Sequence, residues 1–222
     1  MVSYFPLISA VVSLVFFVLL ALQYVRRRKK HQLLWTVAVA LFAVSSSLAS
    51  VSETNGWTLP AYQLYYFTLS PMVAFMGTGT LYLFADKPWG KYFLAYTLVL
   101  SAIFFILIFT STVDTTVLTS YEPPSEIGSA AMPSTPRLLS PLLSIPGGLI
   151  IIVGAFCSFW VDRSRKYTLL ISLGGIIHLL SGLRARFGED PTYFFALTTA
   201  GVLLLFIGFL LSSEYVRKRK PG

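Results

Sequence analysis

The sequence predicts an all-α, polytopic membrane protein with seven transmembrane helices, laid out as two parallel three-helix repeats joined by an inverter helix. Three observations predict it. Of the 222 residues, 55% are hydrophobic and only 12% charged, about half the charged share of a soluble domain, so the natural solvent of the chain is a bilayer. Seven apolar stretches, at about 5–25, 32–52, 61–84, 92–112, 141–161, 167–185 and 192–215, each approach the ~20 residues that a spanning helix needs. The third observation is an internal echo. Adding 135 pairs Pro6, Leu7 and Ser9 with Pro141, Leu142 and Ser144, Arg28 with Arg163, and Ser46 with Ser181. After a loop shortened by four residues, adding 131 pairs Pro60, Tyr62, Thr68, Phe75 and Gly77 with Pro191, Tyr193, Thr199, Phe206 and Gly208. The reading is one domain over 1–222: repeat one at 1–84, the inverter helix and a long outer loop at 85–139, and repeat two at 140–222.

The elements follow in order. The first segment lacks a basic start and runs into Arg26, Arg27, Arg28, Lys29 and Lys30, a stop-transfer cluster that marks a retained helix and not a cleaved signal. The second carries Ser45, Ser46 and Ser47 in its outer half. The third opens at Pro60 and holds Pro71, which removes a backbone donor and predicts a kink. Its Gly77-Thr78-Gly79-Thr80 fits neither a Walker loop nor a dinucleotide fingerprint and predicts close helix packing. The fourth returns the chain to the face where it began, so that the two repeats share one orientation. Between the fourth and fifth, residues 113–140 are rich in Thr, Ser, Pro and acidic side chains; this composition predicts a mobile loop, with a lid over the outer face as the alternative. The fifth segment contains Pro146-Gly147-Gly148, a predicted distortion, and Cys157, read as a small packing residue. In the sixth, Gly174, Gly175, His178, Ser181, Gly182 and Ala185 share one face. His178 is expected to donate an interhelical hydrogen bond, with ligand contact or pH sensing as alternatives. The seventh brings Thr198 and Thr199.

Basic residues set the orientation, because short loops rich in Lys and Arg stay in the cytoplasm. Fourteen of the 17 fall on one face: the cluster after the first segment, Lys87 and Lys91, Arg163, Arg165 and Lys166, and the tail residues Arg217, Lys218, Arg219 and Lys220. Only Arg137, Arg184 and Arg186 lie on the other. The chain is therefore expected in the cell membrane with its N-terminus outside and its C-terminus cytoplasmic. Trp35, Trp89 and Trp160 near inner helix ends and Trp57 in an outer loop are read as interfacial anchors. The net charge of +8 is assigned to the cytoplasmic rim facing anionic headgroups and not to nucleic acid.

In arrangement alone, 3+1+3 helices resemble the SWEET sugar facilitators, and seven helices with an outside N-terminus resemble the microbial rhodopsins. The resemblance to rhodopsins implies a Schiff-base lysine in the last helix, whereas the first lysine there is Lys218 in the tail. SWEET-like proteins resemble one another in mid-helix prolines and pocket asparagines; here Pro6 and Pro141 lie at helix starts and the only asparagine is Asn55. No site is carried over from either family.

Charges inside a membrane usually mark function, and no Asp, Glu, Lys or Arg stands near the centre of a predicted span. This pattern argues against a proton pump, a carboxylate-coupled transporter and a voltage sensor. One intramembrane histidine rules out bis-histidine haem, one cysteine rules out a disulfide within the chain, and no catalytic constellation or metal cluster is visible, so neither enzyme activity nor a cofactor is expected. What remains is a hydroxyl layer. The candidate ligand-binding residues are Ser46, Thr68, Ser70, His178, Ser181 and Thr199, the pairs Ser46/Ser181 and Thr68/Thr199 being repeat-related. A candidate outer rim uses Tyr62, Tyr65, Tyr66, Glu53, Arg184, Arg186, Glu189 and Asp190. The expected function is to bind, or ease the passage of, a small neutral or amphipathic molecule through an outward-facing pocket between the repeats. A sensory module with a cytoplasmic partner and a non-catalytic subunit of a larger membrane complex are the alternatives.

Overall fold

A computed structural model of the chain describes residues 3–84, 87–120, 122–187 and 193–212, the side chains of 84, 87 and 185–187 excepted. Side-chain expectations for Lys87 and Arg186, and all those for Glu189, Asp190, Pro191 and the basic tail 217–220, lie outside the described residues. The fold is all-helical. Among the described residues there are eight α-helices, α1 (Phe5–Arg27), α2 (Lys30–Asn55), α3 (Leu59–Phe84), α4 (Lys87–Thr110), the short α5 (Thr115–Ser120), α6 (Ser134–Val161), α7 (Tyr167–Phe187) and α8 (Phe194–Leu210), with a 3-10 turn at Pro124–Ile127.

Five of these, within α1, α2, α4, α6 and α7, are long and apolar enough to cross a bilayer, and α8 is a shorter apolar helix. Their outward faces are continuous hydrocarbon: Val11, Leu14, Val18 and Leu22 stand exposed along α1, and Leu98, Val99, Phe105 and Ile106 along α4. Large apolar side chains at this density belong against lipid tails. The features together are those of a helical membrane protein.

Six long helices form a closed ring. α1 packs on α2, α2 on α3, α3 on α6, α6 on α7, α7 on α8, and α8 returns to α1. α4 stands outside, against α3 and α6. It is fixed there by the Gln63 side-chain amide donating to the Ile108 carbonyl at 3.1 Å, by the Thr78–Thr97 hydroxyl pair at 3.0 Å, and by Tyr96 Oη donating to the Leu142 carbonyl at 2.6 Å.

Glycine sets the tightest contacts. A Cβ added to Gly77 would lie 2.6 Å from Gly147 Cα, and one added to Gly147 would lie 2.5 Å from the Val73 carbonyl oxygen. Only hydrogen fits between α3 and α6 there. The expected packing role of Gly77-Thr78-Gly79-Thr80 is thus met, Gly79 lying likewise against Trp35. Pro146 and its glycines do not interrupt α6, which runs unbroken from Ser134 to Val161; the glycines serve close approach.

The segment between α4 and α6 corrects the mobile-loop reading. Its Ile127, Ala131 and Met132 are buried in a cluster with Trp57, Tyr62, Tyr65, Phe104 and Phe195, and this apolar insertion is what orders a polar stretch. Asp114 caps α5 by accepting from the Thr116 and Val117 amides, and its carboxyl is held below the usual range first by the Thr116 hydroxyl. Trp57 is likewise corrected, being buried and not interfacial: its ring centroid is 4.8 Å from that of Tyr65, and its Nε1 donates to the Pro124 carbonyl at 2.7 Å. Trp89 and Trp160 do stand outward. Cys157, expected to pack, is exposed on the outward face of α6.

Candidate functional site

Inside the ring lies a cavity of about 120 Å³, comparable with an apolar cavity of roughly 150 Å³ that accepts benzene. Each long helix except α4 contributes to its wall. α1 and α2 supply Phe16, Ala38, Val39 and Phe42; α3 supplies Tyr66, Leu69, Ser70, Val73 and Met76. From α6 come Ser140, Ser144, Ile145, Gly148 and Ile151, spaced as one helical face. α7 presents Gly175, His178, Leu179, Gly182 and Leu183, and α8 presents Phe194, Thr198, Val202 and Leu205. The wall is mainly apolar with a few hydroxyls and one imidazole, the usual chemistry of a small-molecule site.

One end of the cavity, beside the α2–α3 turn, is covered by the strap formed by residues 124–132. Gly128 and Ser129 belong to the cavity wall. Four contacts pin the strap. Glu53, buried near the C-terminus of α2, accepts from the Ser125 amide at 3.2 Å and from the Ser3 amide at 2.8 Å. Glu126 accepts from the Phe194 amide at 3.2 Å, at the N-terminus of α8 where a carboxylate is favoured. Tyr62 Oη donates to the Gly128 carbonyl at 3.2 Å, and Trp57 holds Pro124 as above.

Of the six candidate ligand residues, two line the cavity and four do not. Ser70 lines it and shares a hydrogen bond with Ser140 across the α3–α6 seam. His178 lines it with its ring edge-on to Phe42, centroids 5.4 Å apart. Among the described residues its Nδ1 has no hydrogen-bond partner, which corrects the expected interhelical donation; a Cβ on Gly201 would sit 3.1 Å from that atom. Thr68 turns back to the Tyr65 carbonyl of its own helix at 2.9 Å. Ser181 bonds Thr198 at 2.9 Å, joining α7 to α8, and Thr199 bonds Ser9 at 2.7 Å, joining α8 to α1. These three serve packing because a hydroxyl in an apolar bundle takes the nearest carbonyl or hydroxyl. Ser46 is fully buried with no hydrogen-bond partner among the described residues and is not in the wall.

The rim expectation is redrawn in the same way. Glu53, Tyr62 and Tyr65 are buried under the strap, Tyr66 reaches the cavity wall, and Arg184 is exposed. Among the described residues no three His, Cys, Asp or Glu side chains converge to hold a metal. Sequence reasoning missed Ser140 and Ser144, although their spacing with Gly148 on one helical face was a usable signal. It also missed Gly182 as a wall residue. Comparison with protein-family models, with curated proteins and with solved structures finds no match.

Proposed function

We propose that all seven long helices span the membrane as two parallel repeats about α4, N-terminus outside, and that the central cavity binds or passes a small neutral or amphipathic molecule. The observation that carries the proposal is the cavity itself: an apolar wall with a sparse hydroxyl set, closed at one end by a pinned strap. The order of the ring supports the repeat: a two-fold relation between the halves exchanges α1 with α6, α2 with α7 and α3 with α8, and carries each packed pair of helices onto another packed pair. The basic ends of α1 and of the α6–α7 turn support the orientation. The role is binding or facilitated passage without chemistry, and its partners are the bilayer, the ligand and, in the rival readings, another membrane protein.

Gly182 offers the test. It lies in the cavity wall, and a Cβ built there meets no atom within 4 Å. A Gly182→Leu side chain therefore starts from open space among the described residues and is expected to take up part of the cavity. Wild-type protein in lipid nanodiscs should enhance the fluorescence of aminoanthracene saturably above empty discs, and Gly182→Leu should lose that signal at unchanged helical circular dichroism. No difference between wild type and empty discs rejects the ligand site and favours the non-catalytic subunit of a larger complex.

A further inference from the structure

The cavity is long, narrow and chemically graded. Along α6 its wall runs from Ser140 to Ile151 and along α3 from Tyr66 to Met76, lengths of roughly 15 to 16 Å at the helical rise. A volume of about 120 Å³ spread over that length makes a slot about one hydrocarbon chain wide. Its polar groups stand in the outer and middle parts: Ser129 on the strap, Tyr66, the Ser70–Ser140 pair, Ser144, His178 and Thr198. The inner end is Phe16, Val39, Met76, Ile151 and Leu205. No Asp, Glu, Lys or Arg is among the described residues of the wall, so a charged head would lose its hydration with no counter-charge to replace it.

We infer that the ligand, resting on the function proposed above, is a single-chain amphiphile with a neutral hydroxyl or carbonyl head. It sits head outward against Ser140 and Ser144 and tail inward between Phe16, Met76 and Leu205. A compact ring leaves one end of such a slot empty, and a pure hydrocarbon gains nothing from the hydroxyl layer. The Ser70–Ser140 bond is the one the head shares, since each hydroxyl can donate once and accept twice.

Competition against aminoanthracene in nanodiscs tests it with decanol, decane and decanoate at pH 8. Decanol is expected to displace the probe best. Decane should be weaker by about five- to tenfold, the value of a hydrogen bond or two to neutral groups, and decanoate weaker still. The double variant Ser140→Ala, Ser144→Ala should lower decanol affinity by a similar factor and leave decane unchanged; Ser144→Ala alone is the milder version should the double variant fold poorly. Met76→Phe, at the inner end, should move the best-bound alkanol to a shorter chain. Equal affinity for decanol and decane, indifference to the serine variants, or preference for decanoate overturns the inference while aminoanthracene binding keeps the site. Loss of aminoanthracene binding in wild type overturns the site and the inference together.

Discussion

The α3–α6 seam makes the sharpest prediction about stability. Gly147→Ala adds one methyl where a Cβ would stand 2.5 Å from the Val73 carbonyl oxygen and 2.8 Å from Ala74 Cα. Ordinary contact begins at 3.4 Å, so the helices have to part by the difference, roughly 0.9 Å. A gap of that size forfeits about a quarter to a half of each dispersion contact along the seam, and it stretches the Ser70–Ser140 hydrogen bond. Overpacking of this kind typically costs about 1 to 3 kcal/mol. At about 2 kcal/mol the melting temperature of a chain this long falls by roughly 4 to 8 °C. The assay is thermal unfolding in mixed micelles, followed by circular dichroism and tryptophan fluorescence. Gly182→Ala is the control, because the same methyl meets nothing there and removes the conformational freedom of glycine in a helix; it should be neutral or stabilising. Gly77→Ala should cost as much as Gly147→Ala, and the double variant less than the two together, since both methyls enter one gap. A Gly147→Ala protein as stable as wild type, or a Gly182→Ala protein equally damaged, refutes the reasoning.

Other expectations concern the strap, the ring closure and the inner turn. Glu53→Gln leaves one oxygen for two amides, from Ser3 and Ser125; hydrogen exchange at 124–132 should quicken by roughly ten- to hundredfold, as loss of a charge-assisted bond of roughly 1.5 to 3 kcal/mol implies, and unchanged exchange removes Glu53 as a pin. A double-mutant cycle on Ser9→Ala and Thr199→Val should return a coupling of about 0.6 kcal/mol and no more than about 1.7, read from unfolding in micelles. The Asp162 carboxyl is held below its ordinary range first by the Ser164 hydroxyl, then by the Ser164 amide and by Arg165. A lowered folded value contributes stability that is present above the unfolded pKa of about 3.9 and is lost as pH falls through the folded one. The turn at 162–165 should therefore tighten its amide shifts above that range and release them in acid, and Ser164→Ala should raise the Asp162 midpoint measured by NMR.

The long helices were legible because lipid demands long apolar runs, and the ends of the runs agree with those of the helices within about five residues on most elements. The start of α6 is the exception: Ser134 opens it a turn or two before the apolar run, since a helix can begin in polar sequence once packing supports it. Azimuth was less legible than burial. Ser46, Thr68, Ser181 and Thr199 stand within the bundle as expected, yet what separates Thr68 from Ser70 is a rotation of about 200° around α3, and that rotation decides between a carbonyl of its own helix and the cavity. The strap was hidden for another reason. Its composition is polar, and what orders it is the pairing of Ile127 and Met132 with aromatic rings from other helices, a tertiary fact that no local window contains.

Ring closure has a bearing on how the molecule is made. The Ser9–Thr199 contact joins positions 190 residues apart, so at synthesis rates of 5–20 residues per second α1 waits roughly 10 to 40 s for α8. Until α8 arrives the ring lacks the α7–α8 and α8–α1 seams that close it, and a ligand of the kind proposed for the slot would have a route in from the side.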